Sequence, residues 1–132
     1  MSDAKTVFKR HFGFTPPYQV RAPGRLELLG NHTDYNQGLV MSLAIDRYLV
    51  MAASPRTDGK IELVSSVYPT PEKFLVSDIR KNPAAPWADY IKGTLLQLRQ
   101  RGVYFSGFNA AIDSTIPIGA GLSSSAALEV AT

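Results

Sequence analysis

The chain contains no cysteine. That excludes disulfide frameworks, thiolate nucleophiles and cysteine-based zinc sites. No apolar run approaches the roughly 20 residues of a membrane span. The N-terminus, Met1-Ser-Asp-Ala-Lys-Thr-Val-Phe-Lys-Arg-His, lacks the apolar core of a signal peptide, so a cytoplasmic location is expected. There is also no dense Lys/Arg run. A net charge of +3, from 14 basic and 11 acidic residues, is spread along the chain, which argues against nucleic acid as a partner. Diffuse positive charge suits a phosphorylated small molecule equally well. What is present is a 132-residue chain that is 45% hydrophobic, enough for one domain with its own core.

The periodicity predicts strands with scattered helices, hence an α+β fold. Ser2 or Asp3 can cap a short helix that carries Val7, Phe8 and Phe12 and stops at Gly13. Short strands are expected around Tyr18–Ala22 and at Leu26–Leu29, Leu39–Ile45, Tyr48–Ala53 and Ile61–Val67. The Asp58-Gly59 pair between the last two predicts a hairpin. A Pro-rich connector then leads to a helix over Trp87–Arg101, with Ile91, Leu95 and Leu98 on one face and Gly102 just past its end. Phe108–Ile116 alternates like a half-buried strand. No internal repeat, low-complexity segment or domain linker interrupts the chain.

Two stretches carry chemistry. Pro117-Ile-Gly-Ala-Gly-Leu-Ser-Ser-Ser-Ala126 runs from a strand through a glycine turn and three serines into a helix. Backbone N–H groups and hydroxyls at a helix N-terminus can wrap a phosphate. Gly119, Ala120 and Gly121 allow close backbone approach, Leu122 can anchor the loop, and Ser123, Ser124 and Ser125 supply hydroxyls. A Walker A loop is excluded, because no lysine follows Lys92. A dinucleotide loop is excluded too, since Ser124 stands where its last glycine belongs. The competing interpretation is an ordinary strand-to-helix turn in which one serine merely caps.

The other stretch, Gly30–Gly38, places Asn31, His32, Thr33, Asp34, Tyr35 and Asn36 in a row between two apolar runs. Sugar hydroxyls both donate and accept, and this mixture of groups suits them. The same residues would also serve a plain turn, His32 as a structural histidine and Asp34 as a turn former. Arg25 follows a Pro-Gly pair and has the planar fork that matches phosphate oxygens. His32 and Asp34 have no further ligands at metal-binding spacing.

Gly24-Arg-Leu-Glu-Leu-Leu-Gly-Asn-His-Thr-Asp-Tyr35, together with Pro117–Ala126 and Trp87-Ala-Asp-Tyr-Ile-Lys-Gly93, resembles the galactokinase branch of the GHMP kinases. The resemblance runs from about Phe8 to Thr132. It implies the N-terminal portion of a GHMP-kinase fold, a mixed sheet with helices packed on one side. Residues 1–132 would form that portion, cut within the helix after the phosphate loop. It further implies ATP-dependent phosphorylation of galactose at its anomeric hydroxyl, with ATP and Mg2+ required. Asn31, His32, Thr33 and Asp34 would contact the sugar, and Gly119–Ser125 the ATP phosphates. Ser125 would be a magnesium ligand, Trp87 would lie against the adenine, and Ser66 (or Ser65) would approach the nucleotide. Arg25 would offset charge on the transferring phosphoryl group. The family's catalytic Asp and magnesium-binding Glu would lie past residue 132.

Two positions depart from the family pattern. Glu27 stands for an Asn, and Asn31 for a Glu. A kinase for a related sugar (N-acetylgalactosamine, arabinose), or a galactokinase-like protein that senses sugar and ATP without catalysis, therefore remains an alternative.

Overall fold

The structure is a computed structural model that describes residues 3–30 and 32–132. Helix α1 (Ala4–Phe12) begins at Asp3, whose carboxylate accepts the Thr6 N–H at 2.7 Å. That bond satisfies a donor the helix leaves free and lowers the Asp3 pKa. The helix stops at Gly13, in the left-handed region at φ 83°. Ser2, the other expected cap, lies outside the described residues.

The four short strands expected before Ala53 are two long ones. Strand β1 (Tyr18–Leu29) pairs antiparallel with β2 (Met41–Arg56), and the register shifts at Pro23/Arg25 and at Glu27/Leu29. A bulge absorbs the Pro-Gly pair without ending the strand. Strand β3 (Lys60–Ser65) follows, and then β4 (Glu72–Leu75), which lies in the stretch read as a connector. Helix α2 (Asp89–Gln100), strand β5 (Gly107–Ser114) and helix α3 (Ser124–Ala131) complete the described elements.

The sheet order is β1-β2-β5-β3-β4, and this corrects the hairpin. Asp58-Gly59 does turn the chain, but β2 and β3 do not pair. Strand β5 lies between them, antiparallel to β2 and parallel to β3. Arg56 reaches back to Asp58 at 2.6 Å and across to Asn109 of β5 at 2.9 Å. The turn is thereby tied to β5. Gly107 permits the close fit, since a Cβ there would lie 2.0 Å from the Lys60 carbonyl oxygen. The parallel pairing needs a long crossover, and the segment containing β4 and α2 provides it.

The half-buried interpretation of β5 is corrected for the same reason. As an inserted central strand it is covered on both faces, and Ala110 and Ala111 are both 0% exposed. Ala110 and Ile112 join Leu63 and Met51 in a core closed by Ile91 and Leu95 of α2 and Leu128 of α3. Ala111 joins Ala52 and Val64 beneath Ala4 and Phe8 of α1. The α+β fold with a mixed sheet is the expected one. The helices do not all pack on one side as expected: α2 and α3 share one face, and α1 covers the other, over Ala52, Val64 and Ala111. Among the described residues no helix is long and apolar enough to cross a membrane.

Candidate functional site

Beyond β5 the chain leaves the sheet at buried Ile116 and enters the glycine-serine loop. Gly119 and Gly121 take φ of 74° and 69°, and Ser123 takes 59°. A left-handed serine is an uncommon conformation that the surrounding structure must hold. Ser123 occupies the N-cap of α3, yet its side chain makes no capping bond. The simple capping role is therefore not what the loop adopts. The first N–H groups of α3 lack a side-chain acceptor from their cap, the arrangement that attracts an anion. Leu122 packs against the main core and pins the loop, as expected.

Beside this loop lies a cavity of about 290 Å³, lined by Ser65, Tyr68, Trp87, Gly119, Ser124 and Ser125 among others. Pro86 opens a short 3-10 turn, Pro86–Ala88, which turns Trp87 inward. The indole stacks on Tyr68 with ring centroids 5.7 Å apart and planes 3° from parallel. Trp87 is 8% exposed, and its Nε1 has no hydrogen-bond partner among the described residues. Tyr68 had no sequence signal beyond its neighbouring proline. Its place is set by Ser65, whose hydroxyl accepts the Val67 N–H at 3.1 Å and the Tyr68 N–H at 3.4 Å.

Ser66, expected at the nucleotide, does not line this cavity. Its hydroxyl donates to Asp113, and it borders a second cavity with Arg10 and His11. Successive residues of extended chain face opposite ways, so the loop cavity receives Ser65 instead.

Arg25 stands where the two motifs meet. Its backbone N–H donates to the Leu122 carbonyl at 3.1 Å. Gly24 makes that approach possible, because a Cβ there would meet Leu122 O and Ile45 Cδ1, each at 3.1 Å. The guanidinium lies 3.4 Å from Glu27, on the same strand face, with 54% of the Arg25 side chain exposed. An exposed pair this long is weak, so Arg25 can exchange it for a stronger anion. Glu27 is thus placed beside Arg25.

In the polar loop the side chains mostly serve one another. Thr33 Oγ1 shares its proton between the carbonyls of Gly30 at 2.7 Å and Leu39 at 3.1 Å. His32 sits at φ 64°, with Nδ1 2.8 Å from the Tyr35 hydroxyl, and its carbonyl accepts from Asn36 at 3.0 Å. His32 and Thr33 therefore clasp the loop in this structure. Asn31 lies outside the described residues, as does the side chain of Asp34. Among the described residues no group of three or more His, Asp or Glu could hold a metal ion. Ser125 offers one hydroxyl only.

Residues 6–55 match the galactokinase galactose-binding signature, and residues 89–132 match the GHMP kinases N terminal domain. The chain is 47% identical to a galactokinase of Roseiflexus sp., over 94% of this chain and 32% of that protein. It is 40% identical to a galactokinase of Homo sapiens, over all of this chain and 35% of that protein. The fold superposes on Lactococcus lactis galactokinase, solved with galactose, at a TM-score of 0.85 and 34% identity. That match covers 96% of this chain and 34% of the other. The chain spans about a third of the length of the curated relatives it matches.

Proposed function

Because this chain belongs to the galactokinase branch of the GHMP kinases, we propose that residues 1–132 form the N-terminal, nucleotide-holding part of a cytoplasmic sugar 1-kinase. That kinase transfers the γ-phosphoryl group of MgATP to the anomeric hydroxyl of galactose. The observation that carries this reading is the Arg25 N–H to Leu122 carbonyl bond. It ties the sugar-side motif to the phosphate-side motif, so a donor held by one loop faces an acceptor held at the other.

The residues present fit a nucleotide. No atom lies within 4 Å of where a Cβ would stand on Gly119 or Gly121, so the loop leaves room for phosphate oxygens. The uncapped start of α3 supplies N–H groups of the right polarity. The stacked Trp87 and Tyr68 offer an aromatic face to the base, and Ser65 lines the same cavity. Magnesium, when bound, neutralises charge between the phosphates. Ser125 would supply one oxygen to it, the others coming from ATP, water and residues past 132.

Arg25 would release Glu27 and offset the charge that builds on the moving phosphoryl group, an interaction strongest in the transition state. Asn31, His32, Thr33 and Asp34 belong to the sugar side, Thr33 and His32 by shaping the loop. The proton leaving the anomeric hydroxyl goes to a base outside residues 1–132. The exposed apolar side chains near this loop, Leu28, Leu29, Leu39 and Met41, fit a surface that further chain covers.

Fusing residues 1–132 to the remaining two thirds of the Roseiflexus relative tests this reading. The chimera should release ADP only when galactose is present, and the 132-residue chain alone should not. A folded chimera that binds MgATP but phosphorylates no galactose overturns it.

A further inference from the structure

Glu72 of β4 is 4% exposed and Lys92 of α2 is 3% exposed. Charges this deep are costly unless their hydrogen-bonding capacity is filled. Lys92 Nζ lies 2.5 Å from Glu72 Oε1, 3.9 Å from Asp89 Oδ1 and 5.1 Å from the Phe74 ring centroid. The other carboxylate oxygen, Oε2, accepts from Asn82 Nδ2 at 2.7 Å. Asn82 in turn accepts the Ala84 N–H on its side chain at 3.0 Å and the Ala85 N–H on its carbonyl at 2.9 Å. The Ala85 carbonyl then accepts the Ala88 N–H at 3.0 Å. Trp87 sits in sequence midway between Asn82 and Lys92.

We propose that Glu72 is a positioning residue for the aromatic wall of the cavity. One carboxylate grips the segment from Asn82 to Lys92 at both ends, and so fixes the Trp87 ring parallel to Tyr68. Stability alone does not account for the arrangement, because an apolar pair of similar volume stabilises a core as well or better. A carboxylate with two oriented partners adds direction, which a stacking surface needs. The inference rests on Trp87 facing the nucleotide, and the test below separates the two claims.

Trp87 is the only tryptophan in the chain, so fluorescence excited at the red edge, where the six tyrosines do not absorb, reports its surroundings alone. Asn82→Ala cuts one arm of the grip and leaves the Glu72–Lys92 pair. Glu72→Gln removes the charge that Lys92 needs and sets an amide N–H against that of Asn82. With far-UV circular dichroism unchanged, Asn82→Ala should shift the Trp87 emission to the red. It should also weaken MgATP binding, read by fluorescence quenching, about fivefold, and Glu72→Gln about tenfold or more. If Glu72→Gln does not fold, Asn82→Ala decides alone. An Asn82→Ala chain that melts earlier, yet keeps wild-type emission and an MgATP Kd within about twofold, overturns the proposal and leaves only a structural role. A wild-type chain that ignores MgATP counts against the nucleotide reading, while emission and acrylamide accessibility still decide the grip.

Discussion

The glycine-serine loop and the polar Gly30–Gly38 loop are both rich in hydrogen-bonding groups, yet they use them in opposite ways. The first leaves its capping serine unbonded and its glycines open, over a cavity walled by sheet, α2 and α3. The second spends Thr33, His32, Tyr35 and Asn36 on closing itself, and Leu39 beside it is 94% exposed. A group already paired inside the protein gains little from a ligand, whereas an unpaired one at a helix start gains more. The glycine-serine loop is thus preorganised with open groups within these residues, and the polar loop is a shaped turn whose groups are already satisfied.

Arg25 bridges the two regions, so its loss should give the largest effect. In an active chimera Arg25→Ala should lower kcat by about 10²–10³, with either KM changed far less. A normal kcat would make Arg25 a structural residue of the β1 bulge and dissolve the link between the regions. Trp87→Ala comes next and should act on one region only. Losing a base-stacking face should raise the MgATP Kd about 10- to 100-fold while galactose KM stays put. Equal damage to both substrates would mean the regions are not separable.

Asn31→Glu probes the other side. Charge-assisted hydrogen bonds are roughly twice as strong as neutral ones, so galactose KM should hold or fall. If Glu at position 31 instead cripples the site and adding Glu27→Asn restores it, the two positions are a compensated pair. The contact between Glu27 and Arg25 would then belong to sugar recognition.

The smallest effect is a control outside both regions. Burial alone would raise the Glu62 pKa, but bonds from His11 at 2.7 Å and Lys73 at 3.0 Å outweigh it and lower it. A carboxylate whose folded pKa is depressed contributes stability that is whole above the ordinary value of 4.5. That stability is lost as pH falls through the folded value. Unfolding free energies from urea titration should therefore drop more steeply below pH 4.5 in the native chain than in Glu62→Gln, by about 1 kcal/mol or less. A Glu62→Gln profile identical to wild type would show the contacts to be idle.

Local chemistry was legible in the sequence and nonlocal placement was not. The glycine-serine turn into α3, the α1 cap at Asp3 and Gly102 just past the end of α2 follow from a few adjacent residues, and the structure has them. Whether Asp58-Gly59 makes a hairpin depends on Gly107 and Asn109, about fifty residues away in sequence, which bring β5 into the gap. Of the expected pair Ser66 or Ser65, it is Ser65 that lines the loop cavity, because pattern locates a pair of serines but not the face each takes. Strand β4 is short and bounded by proline, so it read as connector. Glu72 inside it gave no sign of burial, since its partners Asn82 and Lys92 are fixed only by the fold.

Strand β5 has a further consequence, for the order in which the sheet is assembled. Without β5, the pairings of β1 with β2 and of β3 with β4 leave two separate ribbons that share no strand pairing. Each keeps an open edge until Gly107–Ser114 arrives to fill both. Unpaired edges are sticky toward other chains, and closing a long loop slows the step that would quench them. A nascent or heat-stressed molecule should therefore be most prone to aggregate while β5 is missing. Its solubility during folding hinges on a single strand, two of whose residues, Ile112 and Ser114, also line the loop cavity.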